Sequence, residues 1–372
     1  MRKSLEFLDS ISLAAASTTY PLSNGIPNDY LMWGLQLDLE FRNVIGTSAL
    51  TSMLYGSPLT FLQRITVEGN LLNRGNIKIF DMSGRQAYQY HRAVAAVPGY
   101  VDPDDLIVDA GATATYDIRA QYIIPFVSLG SPAMERATLL PGNMFSNPLS
   151  LKVTRGGAEA LGINDTNSTQ TFTSYGAGTG SPTLYVHRIV VKEGLGKAVR
   201  APLLCQKFLQ GPFTLTSTLT NGLIATLDNG VLYPRMHFLT GTASTDTGQS
   251  GELASGSSGI ISNLYIRRND SLIRNFRYRS GQYYGAVARG LNMYGDALLT
   301  SQGPGAQTGG FIQGERQGEC LLDFCPDGSL DDSLDTLIWP NRGQQLRLYA
   351  DLTGAANQQL EVIGEELSWI RG

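Results

Sequence analysis

Two short stretches of the chain, PLSNGIP (21–27) and TLTNGLI (218–224), carry the same order of residue types, and Leu22–Gly25 matches Leu219–Gly222 at an offset of 197. Three further pairs keep the same order and nearly the same offset. GSPLTFLQRITVEGNLLNRGN (56–76) resembles GSSGIISNLYIRRNDSLIRN (256–275) at 199 to 200. Ser83-Gly84 and Ser280-Gly281 each precede an aromatic, Ala-rich segment containing Ala-Val-Ala, at 93–95 and 286–288. LSLKVTRGG (149–157) lies against LRLYADLTG (346–354), again at 197. Gly, Ser and Asn recur in any β protein, so one match alone carries little. Kept in one order over both halves, the matches point to an internal duplication, and the chain must then be built from two like units. Asn-Gly at both ends of the comparison supplies the positive φ of equivalent turns.

The unit reads as β structure. In GLQLDLEF, Leu35, Leu37, Leu39 and Phe41 alternate with Gln36, Asp38 and Glu40, the period of two of a half-buried strand. In ATYDIRAQYIIPF, Tyr116, Ile118, Ala120, Tyr122 and Ile124 share one face, and Asp117, Arg119 and Gln121 the other. FLQRITVEG, PLSLKVT, TLYVHRIVVKE, LYPRMHFLT, SNLYIRR, ECLLDF, QQLRLYADL and QQLEVIGEEL are further strand candidates, separated by Gly, Asn, Pro and Ser. One helix is predicted over 81–97, capped by Asp81 or Ser83, and a weaker one in SGQYYGAVARGLNMYG. Long polar segments at 155–182, 241–259 and 296–318 read as functional or partner-facing loops. The pattern predicts an all-β protein of two tandem eight-stranded jelly-roll sandwiches with short helices and long loops. The expected division is an N-terminal arm (1–19), a first jelly roll (20–193), a basic linker (194–212) and a second jelly roll (213–372).

No constellation of residues for catalysis emerges along the chain. The three histidines, His91, His187 and His237, stand in no metal-ligand spacing. Cys205, Cys320 and Cys325 are too few for a disulfide framework and read as reduced core thiols. No nucleophile elbow, phosphate loop or dinucleotide fingerprint occurs. Of the acidic runs at 102–105 and 327–335, the second has its carboxylates at irregular spacing and lacks the Gly and closing Glu of an EF-hand loop, and a solvated acidic loop is the favoured reading. No catalytic, cofactor-binding or metal-binding residue is therefore expected. A net charge of −4 gives no global field for nucleic acid, and no specific nucleic-acid binding is expected. The charged fraction is only 16% with 42 glycines, so much of the surface is covered by small polar residues or by other copies of the chain. The cluster RRNDSLIRNFRYR places Arg267, Arg268, Arg274, Arg277 and Arg279 beside Phe276 and Tyr278. It suits a subunit interface, or the outer face of two strands, better than a nucleic-acid surface.

The duplicated strand sets, with the aromatic strand and Pro corner of AGATATYDIRAQYIIPFVSLG followed by NPLSLKVT, resemble the double jelly-roll major capsid proteins of tailless icosahedral viruses, the lineage of tectiviruses, corticoviruses and adenovirus hexon. The resemblance covers roughly residues 20 to 370 and is one of pattern. It implies a non-enzymatic bacteriophage capsid protein, made in the host cytoplasm and resident in the virion. In that family trimers form pseudo-hexagonal capsomers that tile an icosahedral shell. The implied partners are the chain itself, neighbouring capsomers, penton and minor capsid proteins, and an internal lipid membrane. The N-terminal segment, through Arg2, Lys3, Leu5, Phe7 and Leu8, would touch that membrane or a neighbouring capsomer. The alternatives are a virion spike and a carbohydrate-binding or carbohydrate-active double β-sandwich. For the latter, a groove would have to gather the scattered Trp33, Trp339 and Trp369.

Overall fold

The computed structural model describes residues 2–46, 50–53, 59–72, 74–95, 100–101, 115–129, 131–157, 162–164, 170–192, 203–214, 218–227, 231–243, 250–253, 261–269, 271–277, 319–324, 345–352 and 358–369. The first half contributes β1 (Lys3–Ser12), β2 (Thr19–Pro21), β3 (Leu31–Ile45), β4 (Leu62–Leu71), β5 (Gly75–Met82), β6 (Thr115–Pro125), β7 (Ser150–Arg155) and β8 (Thr183–Val191). The second contributes β9 (Leu203–Thr214), β10 (Leu219–Leu227), β11 (Arg235–Ala243), β12 (Ile261–Arg268), β13 (Ser271–Arg277), β14 (Glu319–Asp323), β15 (Leu346–Leu352) and β16 (Gln358–Trp369). Helix α1 (Gly84–Ala95) follows β5 and α2 (Pro132–Ala137) follows β6.

Strand order answers the duplication. The first half forms sheets β1-β8-β3-β6 and β2-β7-β4-β5; the second forms β9-β16-β11-β14 and β10-β15-β12-β13. Each strand thus has the neighbours of the strand eight places later, and each half is one jelly roll. Register agrees with the sequence offsets. Leu151 lies opposite Val67 and Val153 opposite Ile65; Leu348 lies opposite Ile266 and Ala350 opposite Leu264. The reason is burial. Leu151, Val153, Val67 and Ile65 are buried, as are Leu348, Ala350, Ile266 and Leu264, and a slip of one residue would turn every one of them to the outer face.

The two Asn-Gly turns fall at corresponding edge strands, just after β2 in the first roll and within β10 in the second, and not on the same rung. Ile26 bridges to Leu149, whereas Gly222 lies opposite Ala350. The left-handed residue also differs: it is Gly25 (φ 65°) in the first roll and Asn221 (φ 53°) in the second. Asn tolerates that region because its short polar side chain bonds locally. Both interruptions break the ladder of an edge strand, which hinders open-ended strand addition.

Two expected boundaries are corrected. Residues 1–19 were expected as an arm outside the first roll, yet Lys3–Ser12 is β1, paired antiparallel with β8 from Lys3↔Val191 to Ser12↔Thr183. Glu6 and Asp9 break the apolar run without breaking the strand: a bulge between Phe7 and Asp9 resets its alternation, and Glu6 pairs with Arg188 at 2.7 Å and Lys192 at 2.6 Å. Residues 194–212 were expected as a linker, yet Leu203–Thr214 is β9, the counterpart of β1, paired with β16 from Leu203↔Trp369 onward. The helix expected over 81–97 is α1. Ser83 and Gln86 close its start reciprocally, the Gln86 N–H donating to the Ser83 hydroxyl at 3.1 Å and the Ser83 N–H to the Gln86 side-chain oxygen at 2.9 Å. The second helix candidate and the 296–318 loop lie outside the described residues.

Candidate assembly interface

The first jelly roll meets the second edge to edge. Strand β9 lies parallel to β5 with Lys207 opposite Phe80, so β2-β7-β4-β5 runs into β9-β16-β11 as one sheet. The outer face of the second roll's sheet carries Cys205, Lys207, Leu209, Arg235, His237, Leu239, Leu321, Asp323, Glu361, Ile363, Glu365 and Leu367. This assignment follows from the cross-strand pairs Cys205↔Leu367, Lys207↔Glu365, Leu209↔Ile363, His237↔Ile363, Leu239↔Glu361 and Leu321↔His237. The first roll covers this face. Leu239, Leu321 and Ile363 pack in one apolar cluster with Ala87, Tyr90 and Val94 of α1, while Met134 of α2 packs with Leu203, Cys205, Leu232 and Leu367. Strands buried on both faces lose the polar alternation of a half-buried strand.

Charge is trapped in this seam. Arg85 of α1 donates to Glu361 at 3.0 Å. Glu365 accepts from the Ser128 hydroxyl at 2.6 Å and from Arg235 at 3.3 Å, with Lys207 Nζ at 3.9 Å. Arg235 also donates to Asp323 at 3.0 Å. Lys207 donates to the Pro125 carbonyl at 2.7 Å and stands 3.2 Å from His91 Nε2. Three cations thus face three carboxylates, all buried or nearly so, as removal from water demands. Burial, joined by the Lys207 charge, holds the His91 imidazole well below its ordinary pKa, so it is neutral. Burial likewise lowers Lys207 against the pull of Glu365. For Arg235 burial acts downward, but Glu365 and Asp323 outweigh it and the guanidinium pKa is raised. Cys205 is pushed upward by burial, then by Glu365, and is an unreactive thiol.

The matching face of the first roll is open along β1, although Ile189 and Val191 beside it are buried. Phe126 N–H donates to the Trp33 carbonyl at 2.8 Å, as Phe324 N–H does to the Pro234 carbonyl at 2.9 Å, and Leu31↔Val191 matches Leu232↔Leu367. Val191 pairs with Lys3 and Leu367 with Cys205, which makes Leu5 the counterpart of Lys207 and Phe7 that of Leu209. Lys207 is 2% exposed; Leu5 and Phe7 are 50% and 58% exposed. Phe7 meets the His187 ring edge-on at 5.2 Å. The two line a depression of about 330 Å³ with Asp38, Glu40, Arg119 and Tyr185.

The residues singled out from sequence fall as follows. Arg2 is exposed just ahead of β1, and Lys3 sits 3.7 Å above the Trp33 ring with Glu135 at 3.1 Å. Leu5 and Phe7 project outward, whereas Leu8 packs on the core of its own roll and is not free for a membrane. Arg267 and Arg268 are half-buried on β12; Arg267 lies 4.9 Å over the Tyr349 ring and donates to Asn221 at 3.1 Å. Arg274 and Arg277 lie on β13, opposite Ile266 and Asn263, and Arg279 lies outside the described residues. The N-terminal set and the arginine set thus sit on different rolls of one chain. Sequence reasoning missed the seam charges. Their signal was apolar residues on both parities of LLCQKFLQ and QQLEVIGEELSW, with charges between them. Among the described residues no cluster of His, Cys, Asp and Glu suits a metal, and Cys205 and Cys320 are buried.

This architecture defines the chain as a double jelly-roll protein, the fold of viral major capsid proteins. No protein-family model and no curated protein sequence matches the chain. Solved structures match it over nearly its whole length. The atomic structure of Sulfolobus Turreted Icosahedral Virus aligns with a TM-score of 0.60 at 12% identity, covering 99% of this chain and 91% of that one. The major capsid protein of bacteriophage PM2 aligns at 0.52 and 13% identity, covering 100% and 98%. The PBCV-1 virus capsid aligns at 0.52 and 11% identity, covering 99% and 95%. At such identities the likeness is one of fold.

Proposed function

We propose that the chain is the major capsid protein of a tailless icosahedral virus, a structural subunit without catalysis. In this reading three copies form a pseudo-hexagonal capsomer, and capsomers, with penton and minor proteins, tile a shell, over an internal membrane where one is present. The observation that carries the reading is the repeated strand order: two jelly rolls sharing the same order of eight principal strands, joined edge to edge along one chain. Two rolls per chain give six per trimer, and a closed ring of like blocks uses one kind of contact repeatedly. A bacteriophage host and synthesis in the host cytoplasm belong to the same proposal. Light scattering after size exclusion tests it: a species near three times 40.2 kDa is expected, and a monomer at every salt and concentration tried refutes it.

A further inference from the structure

The duplication supplies an internal control for the arginine-rich sheet of the second roll. Its four strands, β10, β12, β13 and β15, carry Arg267, Arg268, Arg274, Arg277 and Arg347 against a single carboxylate, Asp351. On the outer face Asn263 lies opposite Asp351, Tyr265 opposite Tyr349, and Arg267 directly opposite Arg347. The register that matches Val67 and Leu151 with Ile266 and Leu348 makes Glu68 and Ser150 the counterparts of Arg267 and Arg347. In the first roll that rung is a carboxylate facing a hydroxyl, and Glu68 pairs with Lys152. Asp81 on the same sheet pairs with Arg64 at 2.8 Å and Lys78 at 2.6 Å. The fold therefore requires a cation at neither position of the rung.

Like charges directly opposite on one face of a sheet repel. Neither Arg267 nor Arg347 makes an ion pair among the described residues. Arg267 lies 4.9 Å over the Tyr349 ring and donates from Nη2 to the Asn221 side-chain oxygen at 3.1 Å, while its Nε is buried without a partner. Arg347 donates through Nε and Nη2 to the Gln345 side-chain oxygen at 3.2 and 3.0 Å. Asp351 stands two rungs along β15 from Arg347, about 13 Å away. Its oxygens already accept from the Asn221 N–H at 2.7 Å, the Asn263 amide at 2.8 Å and the Tyr265 hydroxyl at 2.5 Å. Both guanidinium forks are thus held by neutral groups that leave their charge uncompensated. Thr226, exposed on β10, continues the row opposite Arg347.

We propose that this rung binds a doubly charged oxyanion of the phosphate or sulfate type, held between Arg267 and Arg347 with the Thr226 hydroxyl beside them. Guanidinium forks match the oxygens of such a group in pairs. Directly opposite side chains start about 5 Å apart at Cβ, so both forks reach one tetrahedral anion. A carboxylate would offset one of the two charges, and a dianion offsets both. The half-buried Tyr265 and Tyr349 continue the face beyond the arginines, which leaves room for a free ion or for the ester group of a molecule lying across the rings. The site is complete in one chain and does not rest on the capsomer reading.

Titration calorimetry of the full chain with inorganic phosphate and with glucose 6-phosphate, at ionic strength matched with chloride, tests the site. Arg347→Gln and Arg267→Gln are each expected to weaken binding at least tenfold. Arg64→Gln, which removes an exposed arginine from the outer face of the first roll, is expected to leave it unchanged. In chloride without phosphate, Arg347→Gln should melt no lower than the parent, because a repulsion has been removed. Binding of inorganic phosphate alone upholds the site for a free ion; binding of glucose 6-phosphate upholds it for an ester carried on a larger molecule. Failure of both probes to bind above the chloride control overturns the site. Equal binding by the parent and Arg347→Gln overturns it too, and a lowered melt with that binding retained would show the arginine to be structural.

Discussion

Replacing Glu365 by Gln removes one negative charge from a seam that otherwise balances Arg85, Lys207 and Arg235 against Glu361, Glu365 and Asp323. The amide keeps the shape and can still accept from Ser128. It cannot offset Lys207, which is left with a carbonyl and a neutral imidazole, or Arg235, which keeps the Ser128 hydroxyl and, as its carboxylate, Asp323. Breaking a buried pair by removing one partner costs about 3–5 kcal/mol because an uncompensated charge remains inside. With about 2.1 cal/mol/K of unfolding entropy per residue, a chain of 372 residues melting as one unit has about 0.8 kcal/mol/K, so the expected fall in Tm is about 4–6 °C. Adding Lys207→Met restores balance, and the double variant should recover at least about 2 kcal/mol of the loss, read as coupling in a double-mutant cycle. Scanning calorimetry of the four proteins provides the check. If Glu365→Gln melts within 1 °C of the parent, or if the two losses simply add, the seam is not the coupled charge cluster described here.

Two further outcomes follow from the same face and its core. His91 is buried neutral, so its folded pKa lies below its unfolded value; the unfolded chain binds the proton first, and stability falls as pH drops through the unfolded value near 6.5. At about 1.4 kcal/mol per pH unit the loss by pH 5 approaches about 2 kcal/mol, and His91→Gln should flatten that limb of urea midpoints measured from pH 7 to 5. A Cβ on Gly364 would meet the Phe208 ring at 2.2 Å; Gly364→Ala should cost about 1–3 kcal/mol by overpacking, and Phe208→Leu in the same chain should restore most of it. If the Ala variant unfolds in urea at the parent midpoint, the close approach of ring and backbone is refuted.

Legibility in the sequence followed burial. Strands with one face in a core and one in water, such as β3 and β6, announced themselves by alternation, and the turns between them by Gly and Asn. The duplication was legible for the same reason: Leu151, Val153, Ile65 and Val67 recur as Leu348, Ala350, Leu264 and Ile266 because an apolar contact must be made twice. The strands misread as arm and linker, β1 and β9, are counterparts. β9 is buried on both faces, so Leu203, Leu204 and Cys205 run together without a period. β1 carries a bulge and two carboxylates, and its outer face meets solvent in the single chain while bearing Leu5 and Phe7. The seam charges were illegible because a Lys or Glu in a strand reads as solvent-facing until the opposite roll is in place.

The pairing of β1 with β8 and of β9 with β16 has a consequence for synthesis. Each roll opens with a strand whose partner is the last of that roll to be made: Lys3 must wait for Val191, and Leu203 for Trp369. At translation rates of about 5–20 residues/s the first wait lasts roughly 10–40 s, and the second ends only when β16 has left the ribosome. A chain broken off before β16 lacks the strand between β9 and β11, and with it Glu361 and Glu365 of the seam. A copy without β16 therefore cannot present the finished joint, because the strand that holds β9 to β11 and two of the three seam carboxylates are missing from it.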